Sequence, residues 1–275
     1  MRVSRSARQQ CVGTRRVLTR HSPSRAATYI RCAETGMTPS VRFVKRLLDV
    51  LLAVVGITLS LPLYPVIAAA ITLEAPGPVF FRQRRAGRLL RHSRGRCWFE
   101  HFEMLKFRTM REGADRERGA VIAEENDPRI TKVGHLLRRT HLDELPQLFN
   151  VVRGDMSIIG PRPEQPQLIE HLSLAIPFFE ERMRDVRPGI TGLAQINLSY
   201  TGRPLPGSPV LAFCDALTNP FKIEDAEGAL ADDMRIKLLY DLAYTASLQN
   251  LWEFLRMELS ILLRTPFVML RGLGR

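Results

Sequence analysis

The chain has 275 residues, 45% of them hydrophobic, which is enough to bury one large core or two modest ones and excludes a disordered chain or a small disulfide scaffold. Forty lysines and arginines against 28 acids leave a net charge of +12, so anionic partners are expected; phosphate-rich ligands, nucleic acid and an anionic membrane surface all fit that charge. Cys11, Cys32, Cys97 and Cys214 form no C-x-x-C pair and have no histidine at metal-ligand spacing, which argues against a disulfide framework or a zinc site and fits a reducing compartment.

Residues 1–40 read as a basic extension. Up to Met37 they hold eight arginines and one acid, Glu34, without the apolar run of a secretory signal. Disorder is the expectation; a transit peptide, or a start at Met37, fits the same composition. Residues 41–75 are of membrane grade. Positions 47–73 are 27 residues with Asp49 as the one formal charge, more than the roughly 20 apolar residues that span a bilayer. The stretch lacks the polar face of a core helix. Pro62 and Pro65 each remove a backbone donor, so the helix is expected to break into two arms too short to cross. Basic residues flank both ends: Arg42, Lys45 and Arg46 before, and Arg82, Arg84, Arg85, Arg88, Arg91, Arg94 and Arg96 after. Both ends therefore favour the cytoplasmic side, and a re-entrant helix-break-helix hairpin satisfies both observations. A kinked single span is the competing arrangement.

Residues 76–275 read as a cytoplasmic domain of mixed α/β class, mainly helical. APGPVFF and WFEHFEMLKFRTM predict a small antiparallel β element, joined by an exposed basic loop, AGRLLRHSRGR, at lipid headgroup level. ITKVGHLLRRTHLDELPQLFNVV predicts helix, with Leu136, Leu137, Leu145, Leu148 and Phe149 on an apolar stripe and Pro146 opening a second helix. GDMSIIGPRP and VRPGITGLAQIN predict loops of fixed backbone shape. Residues 198–233 read as an acidic insertion, and 234–275 as amphipathic C-terminal helices, facing either the core or the membrane surface.

The sharpest local feature is Arg138-Arg139-Thr140-His141-Leu142-Asp143-Glu144. Adjacent carboxylates on a helix point about 100° apart, so they suit different roles: one presents an oxygen to an electrophile, the other holds a hard cation such as Mg²⁺. Taken alone, such a string is more often a solvated helix face. Arg162 in GPRP and Arg187 in VRPGITG are each held between Gly and Pro, which suits bidentate phosphate recognition, though structural turns fit equally. Lys106 and Arg108 in KFRTM form a further cationic pair, by itself a solvated strand end. Walker, dinucleotide-binding, zincin and nucleophile-elbow motifs are absent from the sequence, and the aromatics do not interleave with basic residues as nucleic-acid binding would want.

In order, these motifs resemble the bacterial sugar transferases, the monotopic polyprenyl-phosphate phosphoglycosyltransferases of exopolysaccharide, capsule or O-antigen initiation. The resemblance covers residues 41–197 and 234–275, with 127–163 its most specific part. It implies Mg²⁺-dependent transfer of a phosphosugar from a UDP-sugar to undecaprenyl phosphate at the cytoplasmic face of the bacterial inner membrane, releasing UMP. By the same resemblance Asp143 is the nucleophile that forms an aspartyl-phosphosugar, and Glu144 the Mg²⁺ ligand. Arg138, Arg162 with Pro163, Arg187, Lys106 and Asp241 bind substrate or acceptor phosphate, and Pro62 breaks the hairpin. Anionic lipids are expected partners, a homodimer or downstream glycosyltransferases are candidates, and nucleic acid is not expected. A non-catalytic assembly factor of a polysaccharide machine is the alternative. Two departures stand out: Leu61 rather than serine precedes Pro62, and GLAQ replaces GWAQ.

Overall fold

The computed structural model describes residues 36–93, 96–111, 113, 127–198 and 226–270. The extension before Gly36, Arg94 and positions 199–225 of the insertion lie outside the described residues.

Two helices open the fold, α1 (Pro39–Ser60) and α2 (Leu63–Glu74). Thr38 caps α1, its hydroxyl accepting from Val41 N, and Pro39 occupies the first turn, where no donor is needed. The two helices are bent by 62° at the break, an open elbow rather than a closed hairpin. Pro62 alone makes the break. Pro65 falls in the first turn of α2, where its missing N–H has no intrahelical partner to lose. Ser60, two residues before Pro62, donates back to Gly56 O at 2.7 Å within the last turn of α1. Among the described residues no single helix is long and apolar enough to cross a membrane, whereas this bent pair qualifies by length and composition.

The polarity of α1 is inverted relative to a helix of a water-soluble domain. Lys45 and Asp49 are buried against the protein, 5% and 3% exposed, while Leu47, Leu51, Val55 and Leu59 face outward, Leu59 at 76%. A polar stripe exists after all, and it points inward. Lys45 Nζ meets Glu258 Oε1 and Ile159 O, both at 3.0 Å, and Asp49 Oδ1 accepts from Ser157 Oγ and Ile158 N.

After a turn, β1 (Phe80–Ser93) and β2 (Arg96–Phe107) pair antiparallel from Phe80↔Phe107 to Ser93↔Arg96. The strands absorb most of the segment expected as a basic loop. Register irregularities between Ala86 and Arg91 keep the pairing going through it. The segment expected as helix is α3 (Lys132–Thr140), a 3₁₀ turn (Leu142–Glu144) and α4 (Gln147–Arg153), the second helix starting after Pro146 as expected. His141, in the left-handed region at φ 55°, ends α3, so Leu136 and Phe149 fall on the surface instead of extending one stripe. Asn150 docks α4 on β2 as a further strand would: Oδ1 accepts from Leu105 N at 3.0 Å and Nδ2 donates to Glu103 O at 2.8 Å.

GDMSIIGPRP and VRPGITG are not independent loops. They form a parallel pair, β3 (Ser157–Ile159) beside β4 (Gly189–Thr191). The close approach explains the glycines: a Cβ on Gly189 would sit 2.1 Å from Gly160 N, and one on Gly160 2.5 Å from Arg187 O. Next to them lie α5 (Pro166–Ala175), a 3₁₀ turn (Phe179–Met183) and α6 (Leu193–Asn197). The acidic end of the expected insertion begins α7 (Ala226–Ser247), and α8 (Leu251–Leu270) completes the described fold. One side of the C-terminal segment packs on the core. Phe254 and Ile261 of α8 are buried with Val41, Ile159 and Tyr244, while Trp252, Leu259, Leu263 and Phe267 are exposed.

Candidate active site

The adjacent carboxylates sit on the short 3₁₀ turn between α3 and α4. Thr131 caps α3 through Gly134 N, and the Glu74 carboxylate at the end of α2 accepts from Lys132 N and Val133 N, both at 2.7 Å. The elbow is thereby tied directly to the helix that leads into the dyad. Gly134 is needed because a Cβ there would lie 2.0 Å from Thr109 O.

The side chains of Asp143 and Glu144 are buried and share Lys106. Its Nζ lies 2.6 Å from Glu144 Oε1 and 3.8 Å from Asp143 Oδ2. Arg162 reaches the same Glu144 oxygen from the GPRP loop, Nη2 at 3.1 Å. Arg138, its Nε donating to Thr109 Oγ1 at 2.9 Å, stands close enough to Asp143 to favour its ionised form. Lys106 is therefore not a solvated strand end. Arg108 is not one either: it is buried and holds the turn after α2, its Nη1 donating to Pro76 O at 2.8 Å.

The two acids are driven in opposite directions. Burial pushes the Asp143 carboxyl above its ordinary value, against Lys106, Arg138 and His141, with Glu144 adding to the rise. Burial acts on Glu144 too, but Lys106 and Arg162, by charge and hydrogen bond, overcome it and hold that carboxyl well below the carboxylate range. Charge and hydrogen bonds thus favour the ionised form of Glu144, while burial works against that of Asp143.

Arg85 belongs to this site and was counted from the sequence only as a flanking charge. Its Nη1 donates to Pro163 O at 3.3 Å and its Nη2 to Gln83 Oε1 at 2.6 Å, with Glu144 and Arg162 as charge neighbours. The strand register supplies the reason. Phe81 pairs with Lys106, and Arg85 lies four residues further on the same face of β1, a relation visible only once β1 and β2 are aligned.

Of the expected site residues, then, Asp143, Glu144, Lys106, Arg138, Arg162 and Pro163 converge, and three others lie elsewhere. Arg187 stands beside Gly154, its Nη2 3.7 Å from where a Cβ would be, with Arg46 and Arg88 as charge neighbours. Asp241 is 1% exposed on α7 and pairs with Arg182 at 2.8 Å. Pro62 is at the elbow. Among the described residues no cluster of three or more His, Cys, Asp or Glu could hold a metal on its own. Mg²⁺ needs no such cage, since it binds through one or two carboxylates with water and substrate phosphate completing its shell. Glu144 beside Asp143 fits that donor set, and the Lys106 ammonium on Glu144 shows that the carboxylate accepts a cation.

Two adjacent acids are thus set among four cations, Lys106, Arg138, Arg162 and Arg85, donors of the kind that bind phosphate. The chain belongs to the bacterial sugar transferase family, whose model matches residues 40–272. It is 37% identical over 237 residues to the UDP-N-acetylgalactosamine-undecaprenyl-phosphate N-acetylgalactosaminephosphotransferase of Aeromonas hydrophila, covering 86% of this chain and 46% of that one. It is 46% identical over 153 residues to the UDP-glucose:undecaprenyl-phosphate glucose-1-phosphate transferase of Xanthomonas campestris pv. campestris, covering 56% and 30%. Over 189 residues it is 40% identical to the exopolysaccharide production protein ExoY of Rhizobium meliloti, covering 62% and 78%. The chain therefore spans about half the length of the first of these relatives and less than a third of the second.

Proposed function

We propose that the protein transfers a sugar-1-phosphate from a UDP-sugar to undecaprenyl phosphate by two displacements, at the cytoplasmic face of a bacterial inner membrane. The observation that carries this reading is the opposed pair of acids, with Glu144 held ionised by Lys106 and Arg162 while Asp143 stays free of a close hydrogen-bonded cation. An Asp143 oxygen attacks the sugar-bearing phosphorus. The bond from that phosphorus to the bridging oxygen breaks, and UMP leaves with the electron pair. The acceptor's phosphate oxygen then attacks the aspartyl-phosphosugar, the bond to Asp143 breaks, and a diphosphate-linked lipid sugar is formed. Arg162, Lys106 and Arg138 bind and neutralise the phosphates, and Arg85 adds positive charge. Bound at Glu144, Mg²⁺ would supply neutralisation of the leaving phosphate.

Two relatives named for transfer to undecaprenyl phosphate carry different sugars, which supports the nucleotide and the acceptor as the shared elements. Membrane placement is supported by the outward apolar residues of α1 and by the exposed apolar side of α8. The test is UMP release by the purified protein in nanodiscs with Mg²⁺, undecaprenyl phosphate and a panel of UDP-sugars. Release by the wild type and a fall of at least ~10³-fold in Asp143→Asn, with an unchanged thermal midpoint, are expected. Wild-type rates in Asp143→Asn would refute the nucleophile.

A further inference from the structure

The loop that carries Arg162 is held almost carbonyl by carbonyl. Ile159 O accepts from Lys45 Nζ at 3.0 Å and lies 2.8 and 3.0 Å from the Ser157 and Tyr244 hydroxyls, and Pro161 O accepts from Gly189 N at 2.9 Å. Pro163 O accepts from Arg85, and Glu164 O from Ala86 N at 3.0 Å. The carbonyl of Arg162 itself accepts from Arg182 Nη2 at 3.1 Å.

Arg182 is 0% exposed, on the 3₁₀ turn after α5, its guanidinium 5.0 Å from the ring centroid of Phe179. The same Nη2 lies 2.8 Å from Asp241 Oδ2 on α7. Its Nη1 is 3.7 Å from Glu164 Oε1, which also accepts from Lys237 Nζ at 2.6 Å. Four charges, two of each sign, thus cluster behind the loop rather than at the carboxylates, with Arg182, Asp241 and Glu164 buried and Lys237 half-buried. Stability alone gives no reason for them, since apolar residues of similar volume commonly do as well as a buried ion cluster. What apolar residues cannot do is place a rigid donor under the backbone of the residue whose side chain grips Glu144.

We propose that Arg182, anchored by Asp241, is a positioning residue that fixes Arg162 for phosphate binding. This rests on the reading that Arg162 contacts the substrate's phosphates. It gives Asp241 a role that acts through Arg182 and involves no substrate contact.

The test is a double-mutant cycle on the full chain in nanodiscs. Arg182→Lys keeps the charge but moves the donor away from the place where Arg182 Nη2 meets both Asp241 Oδ2 and the Arg162 carbonyl. It is expected to lower kcat/KM for the UDP-sugar about 10-fold in the otherwise wild-type chain, and less than about 2-fold when Arg162 is already lysine. Calorimetric binding of UDP reads the same cycle without turnover. An equal loss in both backgrounds makes Arg182 mere scaffold and overturns the proposal. Asp241→Asn serves as the second variant and is expected to follow Arg182→Lys in both backgrounds; collapse of the fold in both variants also overturns it. Absence of transfer by the wild type would instead refute the function, whereas wild-type transfer with an uncoupled Arg182 refutes this inference alone.

Discussion

At the scale of single residues, the dyad works by inequality. Glu144 has two cations within hydrogen-bonding distance and Asp143 has none that close, so burial dominates for one acid and charge for the other. Lys106 is the main opponent of burial at Asp143. Lys106→Met should therefore raise the Asp143 pKa further. Because the nucleophile must be ionised, activity on the acid side would then be lost at a higher pH than in the wild type. A pH profile of UMP release checks this, and an acid limb that stays in place would contradict the assignment. Arg85 and Arg182 enter the account only through the structure: one is placed by strand register, the other by a carbonyl 20 residues away in sequence.

At the scale of elements, two junctions matter. The first is the parallel pairing of β3 with β4, which brings GPRP and VRPGITG together over bare glycine backbone. Gly189→Ala would force a Cβ within 2.1 Å of Gly160 N, and backbone cannot yield as a side-chain tip can. A loss of about 3 kcal/mol or more is expected, read by denaturation in detergent. The second junction is the elbow. Pro62 makes the break and Pro65, tolerated in the first turn of α2, would obstruct a continuous helix, so the pair must be replaced together. Pro62→Ala with Pro65→Ala should let α1 and α2 fuse into one spanning helix and move residues 1–35 across the membrane. A membrane-impermeant thiol reagent added from outside should then label Cys32 in the double variant and leave the wild type unlabelled. Wild-type labelling would sink the re-entrant arrangement.

At the scale of the whole molecule, buried charge joins the parts. Lys45 and Glu258 link α1 to α8, while Lys237, Glu164, Arg182 and Asp241 link α7 to the site loop. Glu164 shows how this affects stability. Burial alone would raise its pKa, yet Lys237 and Arg182 lower it to about 2 in the folded state, below the 4.5 of the free side chain. Its contribution, on the order of 3 kcal/mol, is complete above pH 4.5 and is lost as pH falls towards 2. Asp241, pushed up by burial, opposes this with the reverse sign. Glu164→Gln should lower stability near neutrality and flatten the decline between pH 4.5 and 2, measured by thermal midpoint against pH.

Much was determined by the sequence alone, because local chemistry dictated it. The apolar run, Pro62 and the two basic flanks specify a broken membrane-grade helix pair, and β-rich segments bounded by turn residues specify the hairpin. The adjacent acids Asp143 and Glu144 and the cations Arg138, Arg162 and Lys106 were visible in the sequence, but their convergence on one place was not. Tertiary structure decided what depends on long-range proximity. His141 splits the expected helix, because a single left-handed residue ends α3 whatever the periodicity on either side. Lys45 and Asp49 turn inward because their partners, Glu258, Ser157 and Ile158, come from distant parts of the chain. Arg187 and Asp241, which the resemblance assigns to substrate binding, stand beside Gly154 and Arg182 respectively. A charge's role is set by the charges that surround it once the chain is folded, and a linear pattern records only its neighbours in sequence.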